Sequence, residues 1–115
     1  MNIEIVSHQL EALGNATRLN IYRTLVRAGM SGLAVGGLQD RLGLPASTLS
    51  HHLKRLIDTG LVRQDRAGTS LICHAEYPAM SRLLGFLSDE CCADEREGGC
   101  GPAPAAGLAE PAAEG

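Results

Sequence analysis

The sequence predicts a mainly α-helical fold with a small β-wing, a winged helix-turn-helix, and three observations carry that prediction. Apolar residues recur at helical spacing in five segments. Two of these segments are separated only by Leu42, Gly43 and Leu44, a turn too tight for anything but helix followed by helix. After the second come two short extended runs joined by polar and glycine residues, and then the last helix.

The elements follow in order. Ile5, Val6, Leu10 and Leu13 give an amphipathic first helix that ends near Gly14. Asn15 can cap a second, whose Leu19, Tyr22, Leu25 and Val26 form a stripe until Ala28 and Gly29 close it. Residues 30–32 read as a loop, and residues 33–42 as a short helix in which Gly36 and Gly37 each cost about 1 kcal/mol relative to Ala. Gly43 stops it. Pro45 suits the first turn of the next helix, with Leu49, Leu53, Leu56 and Ile57 as its buried stripe and Gly60 at its end. Residues 61–64 and 71–75 are the extended runs of the wing, linked by residues 65–70. Pro78 opens the last helix, where Met80, Leu83, Leu84 and Leu87 share a stripe with Phe86 alongside, running to Glu90.

A chain of 115 residues with 44% apolar content has room for one small core. No apolar run reaches a membrane span of about 18 residues, and the first residues lack a basic flank and a signal-like apolar run, so a cytoplasmic protein is expected, with no membrane partner. The four cysteines are then expected as reduced thiols. The net charge of −3 conceals a division: residues 1–88 hold nine Lys or Arg against six Asp or Glu, whereas residues 89–115 hold one Arg against seven acids. A basic body with an acidic tail points toward nucleic acid. Residues 1–90 are expected to form the folded domain. Residues 91–115 read as a cysteine-bearing segment followed by a disordered tail, since fourteen of the last eighteen residues are Ala, Gly or Pro.

Turning Leu49, Leu53 and Leu56 inward turns Ser47, Ser50, His51, Lys54 and Arg55 outward, with Thr48 at the border. Hydroxyls and an imidazole can meet base edges or phosphates, and the two bases supply phosphate charge. Arg63 and Arg66 extend this set through the wing. His52 falls on the flank of the leucine stripe, where a core or boundary role is expected.

The chain resembles the arsenical-resistance repressor family, the ArsR/SmtB winged-helix transcription regulators. The resemblance spans residues 8–90 and is carried by Leu13-Gly14-Asn15-Ala16-Thr17-Arg18-Leu19, by residues 47–56 (Ser-Thr-Leu-Ser-His-His-Leu-Lys-Arg-Leu), and by Gly60-Leu61-Val62-Arg63. It implies a homodimeric repressor, dimerising through its first and last helices, that leaves operator double-stranded DNA when an effector binds. Two departures matter. The Cys-x-Cys pair of the best-known arsenic-sensing members is replaced by Ala34-Val35-Gly36-Gly37-Leu38, and the last helix has none of the histidines of zinc-sensing relatives. What remains is similar to members that place a cysteine pair and a third cysteine after the last helix.

Here those residues are Cys91, Cys92 and Cys100. Three sulfurs without an imidazole suit a soft, thiophilic ion, and no fourth ligand for tetrahedral zinc is evident unless a carboxylate joins. The pair sits at a helix C-terminus among Asp89, Glu90, Asp94, Glu95 and Glu97, a setting that disfavours thiolate and so a reactive redox thiol. Arsenite, neutral at neutral pH, condenses with thiols by losing water and needs no preformed thiolate. A Cys91–Cys92 disulfide would be strained, because adjacent Cα atoms lie about 3.8 Å apart and disulfides prefer roughly 4.4–6.8 Å. A bridge from either to Cys100 is open. Cys73, in a wing strand, reads as a small buried hydrophobe.

The expected function is an arsenic(III)-responsive repressor holding As(III) on Cys91, Cys92 and Cys100, with antimony(III) or a methylated arsenical as competing ligands. The alternatives are a thiol-redox or persulfide-sensing repressor of the same fold, and a metalloid chaperone that does not bind DNA. No cofactor loop, Cys-x-x-Cys or nucleophile with an oriented base suggests an enzyme.

Overall fold

A computed structural model of the chain describes residues 2–95. Cys100 and the Ala/Gly/Pro-rich tail lie outside the described residues.

Asn2 opens α1 (Ile3–Leu13), its side-chain oxygen accepting from the backbone N–H groups of Glu4 and Ile5 at 2.9 and 3.0 Å. The helix buries Val6, Gln9 and Ala12. Ile5 and Leu10, expected in the buried stripe, stand exposed with Ile3. At about 100° per residue Ile3 and Leu10 share a side of the helix away from the protomer's own core. Asn15 caps α2 (Ala16–Ala28) by accepting from the Arg18 N–H at 3.0 Å. Here Ile21 packs inward with Tyr22 and Leu25, and Leu19 is exposed.

The next segment departs from the sequence reading. A turn of 3-10 helix spans Gly29–Ser31, where a loop was expected. Leu33 and Ala34, expected at the start of a helix, form a short strand β1 (Leu33–Ala34), and α3 runs only over Val35–Leu42. The two residues find partners elsewhere: Leu33 pairs with Cys73 and Ala34 with Ile72. Gly43 ends α3 in the left-handed region, φ 65° and ψ 32°, its N–H reaching the Gln39 carbonyl at 2.8 Å. That conformation directs the chain into α4 (Ala46–Asp58), whose Leu49, Leu53 and Leu56 are buried as expected.

β2 (Val62–Ala67) and β3 (Ser70–Ala75) are longer than the sequence suggested, because residues 65–67, assigned to the connection, pair with Ile72, Leu71 and Ser70. Only Gly68 and Thr69 remain in the turn. The antiparallel sheet has the order β1-β3-β2. Gly32 lies against it at φ 68°, and a Cβ there would sit 2.5 Å from the Cys73 carbonyl oxygen and 2.7 Å from His74 Nδ1, so only glycine fits.

α5 (Tyr77–Ser88) returns across α2, where the Tyr77 hydroxyl donates to the Val26 carbonyl at 2.9 Å. Ala79 and Leu83 are buried, whereas Leu84 and Leu87 are each 57% exposed. Ile21, Leu25, Leu38, Leu49, Leu56, Leu61 and Cys73 form the fully enclosed centre, each large aliphatic contributing roughly 1.5–3 kcal/mol. Cys73 is thus the buried hydrophobe the sequence predicted. Among the described residues no helix is long and apolar enough to cross a membrane.

Candidate nucleic-acid interface and cysteine cluster

The fold sets α4 on the surface with its leucines down and its polar side up. Ser47, Ser50, His51 and Lys54 are exposed, and Thr48 and Arg55 are half-buried at the margins. Ser50 and Lys54 also line a groove of about 610 Å³ between α4 and the wing, whose far wall is Thr69, Ser70 and Leu71. The two wing hydroxyls were missed at the sequence level. The signal available for them was the turn composition Gly68-Thr69-Ser70.

Most of the candidate bases have carboxylate neighbours. Lys54 Nζ lies 3.3 Å from Asp58 on the same helix, and Arg55 reaches Glu11 of α1 at 3.8 Å. Arg63 bridges Asp65 at 3.1 Å and Glu76 at 3.3 Å, while His74 lies 3.5 Å from Asp65. Successive strand residues alternate faces, so Arg63 and Arg66, three apart, project to opposite sides of the wing. The structure therefore separates the two wing arginines that the sequence grouped.

His52 lies on the flank of α4, as expected. Arg18, only 9% exposed, points Nη1 at His52 Nδ1 at 3.2 Å and donates from Nε to the Ala12 carbonyl at 2.7 Å. An arginine has only donors, so His52 Nδ1 must accept and the imidazole is neutral with its proton on Nε2. Burial lowers the His52 pKa, and the neighbouring Arg18 and His51 lower it further. Beside this contact Gln9 Nε2 donates to the Thr59 carbonyl at 2.9 Å, tying α1 to the end of α4. Nothing in the sequence marked Arg18 as buried, since an isolated arginine on an amphipathic helix reads as solvated.

Cys91 and Cys92 fall in a turn immediately after α5, held by a bond from the Cys91 N–H to the Ser88 carbonyl at 3.0 Å. Their Sγ atoms lie 3.7 Å apart. Two thiolates on one tetrahedral ion with M–S of about 2.3 Å would lie about 3.8 Å apart, so the spacing fits a shared soft ion. Cys92 has φ 58°, the single non-glycine in the left-handed region among the described residues. Among the described residues no group of three His, Cys, Asp or Glu stands ready for a metal ion.

A helix-turn-helix domain family matches residues 13–65, which spans α2 through most of β2. The nodulation protein NolR of Rhizobium meliloti is 37% identical over 86 residues, 75% of this chain and 68% of that protein. The chain belongs to the ArsR/SmtB family of winged-helix transcription regulators. Solved structures agree with this placement. The homodimeric winged helix-turn-helix domain of Mb0332 from Mycobacterium bovis is 28% identical with a TM-score of 0.63, over 76% of this chain and 82% of that one. Reduced HlyU from Vibrio cholerae is 33% identical with a TM-score of 0.57, over 73% of this chain and 88% of that one. As a family member this chain is a transcription regulator with a helix-turn-helix DNA-binding domain.

Proposed function

We propose that this ArsR/SmtB regulator is a homodimeric repressor that leaves operator DNA when trivalent arsenic is bound by Cys91, Cys92 and Cys100. The observation that carries the reading is the 3.7 Å approach of two sulfurs directly behind α5. Antimony(III) and methylated arsenicals are competing ligands with the same thiol chemistry. Ser47, Thr48, Ser50, His51, Lys54 and Arg55 form the DNA-contacting set in this reading, joined by Arg66 from the wing, whereas Arg63, expected in the set, lies on the wing's other side against Asp65 and Glu76. The exposed apolar residues of α1 and α5 form the dimer face, as suits a relative of a homodimeric domain. Ordering the cysteine segment against α5 shifts that face and with it the spacing of the two reading helices. A coupling of about 1–3 kcal/mol relaxes repression several-fold or more.

One observation favours a second reading. Cys91 and Cys92 bring two sulfurs within 3.7 Å, and a relative of this fold, HlyU, has been solved as its reduced form, which suits a regulator switched by oxidation of its thiols. The test measures DNA binding with and without arsenite, under reducing conditions, for the parent and for Cys91→Ser, Cys92→Ser and Cys100→Ser. Loss of the arsenite response in these variants is expected. An undiminished response in all three overturns the arsenic site, and release by oxidant but not by arsenite selects the redox reading.

A further inference from the structure

We infer that Arg18 and His52 are positioning residues for DNA recognition: together they form the joint that sets the reading helix α4 on α1, and His52 serves that joint only as a hydrogen-bond acceptor. The inference rests on the DNA-reading role of α4 and does not depend on the cysteines.

The geometry runs through three helices. Arg18 begins in the first turn of α2, where its own N–H is held by Asn15 at 3.0 Å. Its guanidinium is buried and spends one donor on the Ala12 carbonyl at 2.7 Å, one of the last carbonyls of α1, which have no partner within the helix. A second donor goes to His52 at 3.2 Å, in the middle of α4. A planar fork with two fixed directions thus fixes the angle between the helix that bears exposed apolar residues and the helix that bears the candidate reading residues. His51 is adjacent in sequence and its ring centroid lies 5.5 Å from that of His52, so a rotation of α4 that lets His52 go also moves an exposed reading side chain.

The joint has a sign. A protonated His52 has no acceptor for Arg18 and places imidazolium against guanidinium, so the contact that holds α4 becomes repulsive. The ionisable neighbours of His52 are Arg18 from α2 and His51 on its own helix. The carboxylate that α1 brings to α4, Glu11, is paired with Arg55 at 3.8 Å. DNA selectivity is therefore expected to fall on acidification through His52, in addition to any effect of the exposed His51, which is common to all the variants below.

The test uses the full chain and a duplex enriched by the parent protein from a random-sequence pool, against the same duplex scrambled. His52→Leu is expected to lower the ratio of selected to scrambled affinity by about tenfold while leaving scrambled binding unchanged. His52→Asn keeps an acceptor near the Nδ1 position and is expected to stay within about threefold of the parent at neutral pH and to lose part of the decline below about pH 6.5, where a histidine held below its ordinary value takes its proton. Arg18→Met is expected to match His52→Leu. A folded His52→Leu variant with the parent's ratio overturns the proposal. So does a His52→Asn profile that follows the parent's decline in full, and that profile decides the matter if the Leu and Met variants do not fold. A parent that enriches no duplex overturns the DNA-reading role itself, and this joint with it.

Discussion

Tyr22 carries a hydroxyl into the core, where no partner meets it among the described residues. Burial, reinforced by Tyr77 and Glu76, pushes its pKa up to about 12. The free energy consequence follows from linkage. Below about pH 10 the unfolded and folded chains both keep the proton, and above it the unfolded chain loses its proton first, so stability falls as pH rises toward the folded value. Tyr22→Phe removes both the orphaned hydroxyl and this titration. Urea denaturation should find the variant within about 1 kcal/mol of the parent at neutral pH, or more stable. Between about pH 10 and pH 12 the variant should gain on the parent. A parent–variant difference that does not change over that range would show that the hydroxyl is hydrated. Arg18 is the opposite kind of buried polar residue, with its donors directed at acceptors, and the two illustrate why burial alone does not say whether a polar group strains or organises a core.

At the scale of elements, α4 was the most legible part of the chain. Pro45, the leucines at 49, 53 and 56 and the polar residues between them fix its start, its face and its exposed side, because all of these are local properties of one helix. β1 was illegible for the complementary reason: two residues are too short for an alternating pattern, and what makes them a strand is pairing with Ile72 and Cys73 far along the chain. The same cause extended the wing strands into residues read as loop, and α1 misled because its apolar residues occupy two sides of the helix while Gln9 is buried through a bond to Thr59. Of the candidate site, the side of α4 was legible. The pairing of Arg63 with Asp65 and Glu76 was not, since it depends on where β3 hands over to α5. Lys54 stands exposed beside Asp58, so it is expected to act on phosphate charge alone. Lys54→Ala should weaken binding to selected and scrambled duplexes alike and reduce the slope of log K against log salt by about 0.9. A change in which sequence is preferred would give Lys54 a base contact instead.

For the whole molecule, the uncovered surface matters more than the covered one. Ile3 is 69% exposed on α1, and Leu84 and Leu87 are 57% exposed on α5, yet both helices are otherwise packed onto one continuous core. Replacing Leu84 and Leu87 with Glu removes no interior contact of the protomer and should leave its helical content intact. Sedimentation should then find a monomer, with operator affinity reduced by about a hundredfold or more because each half-site is held alone. An unchanged dimer would place the interface elsewhere.

In the proposed pair, those bare leucines would also make the response to gene dosage nonlinear. While protomers exceed pairs, mass action makes the number of pairs follow the square of the copy number. Halving expression would then leave about a quarter of the operator-competent pairs, and a cell recovering from dilution by growth would regain control late and abruptly.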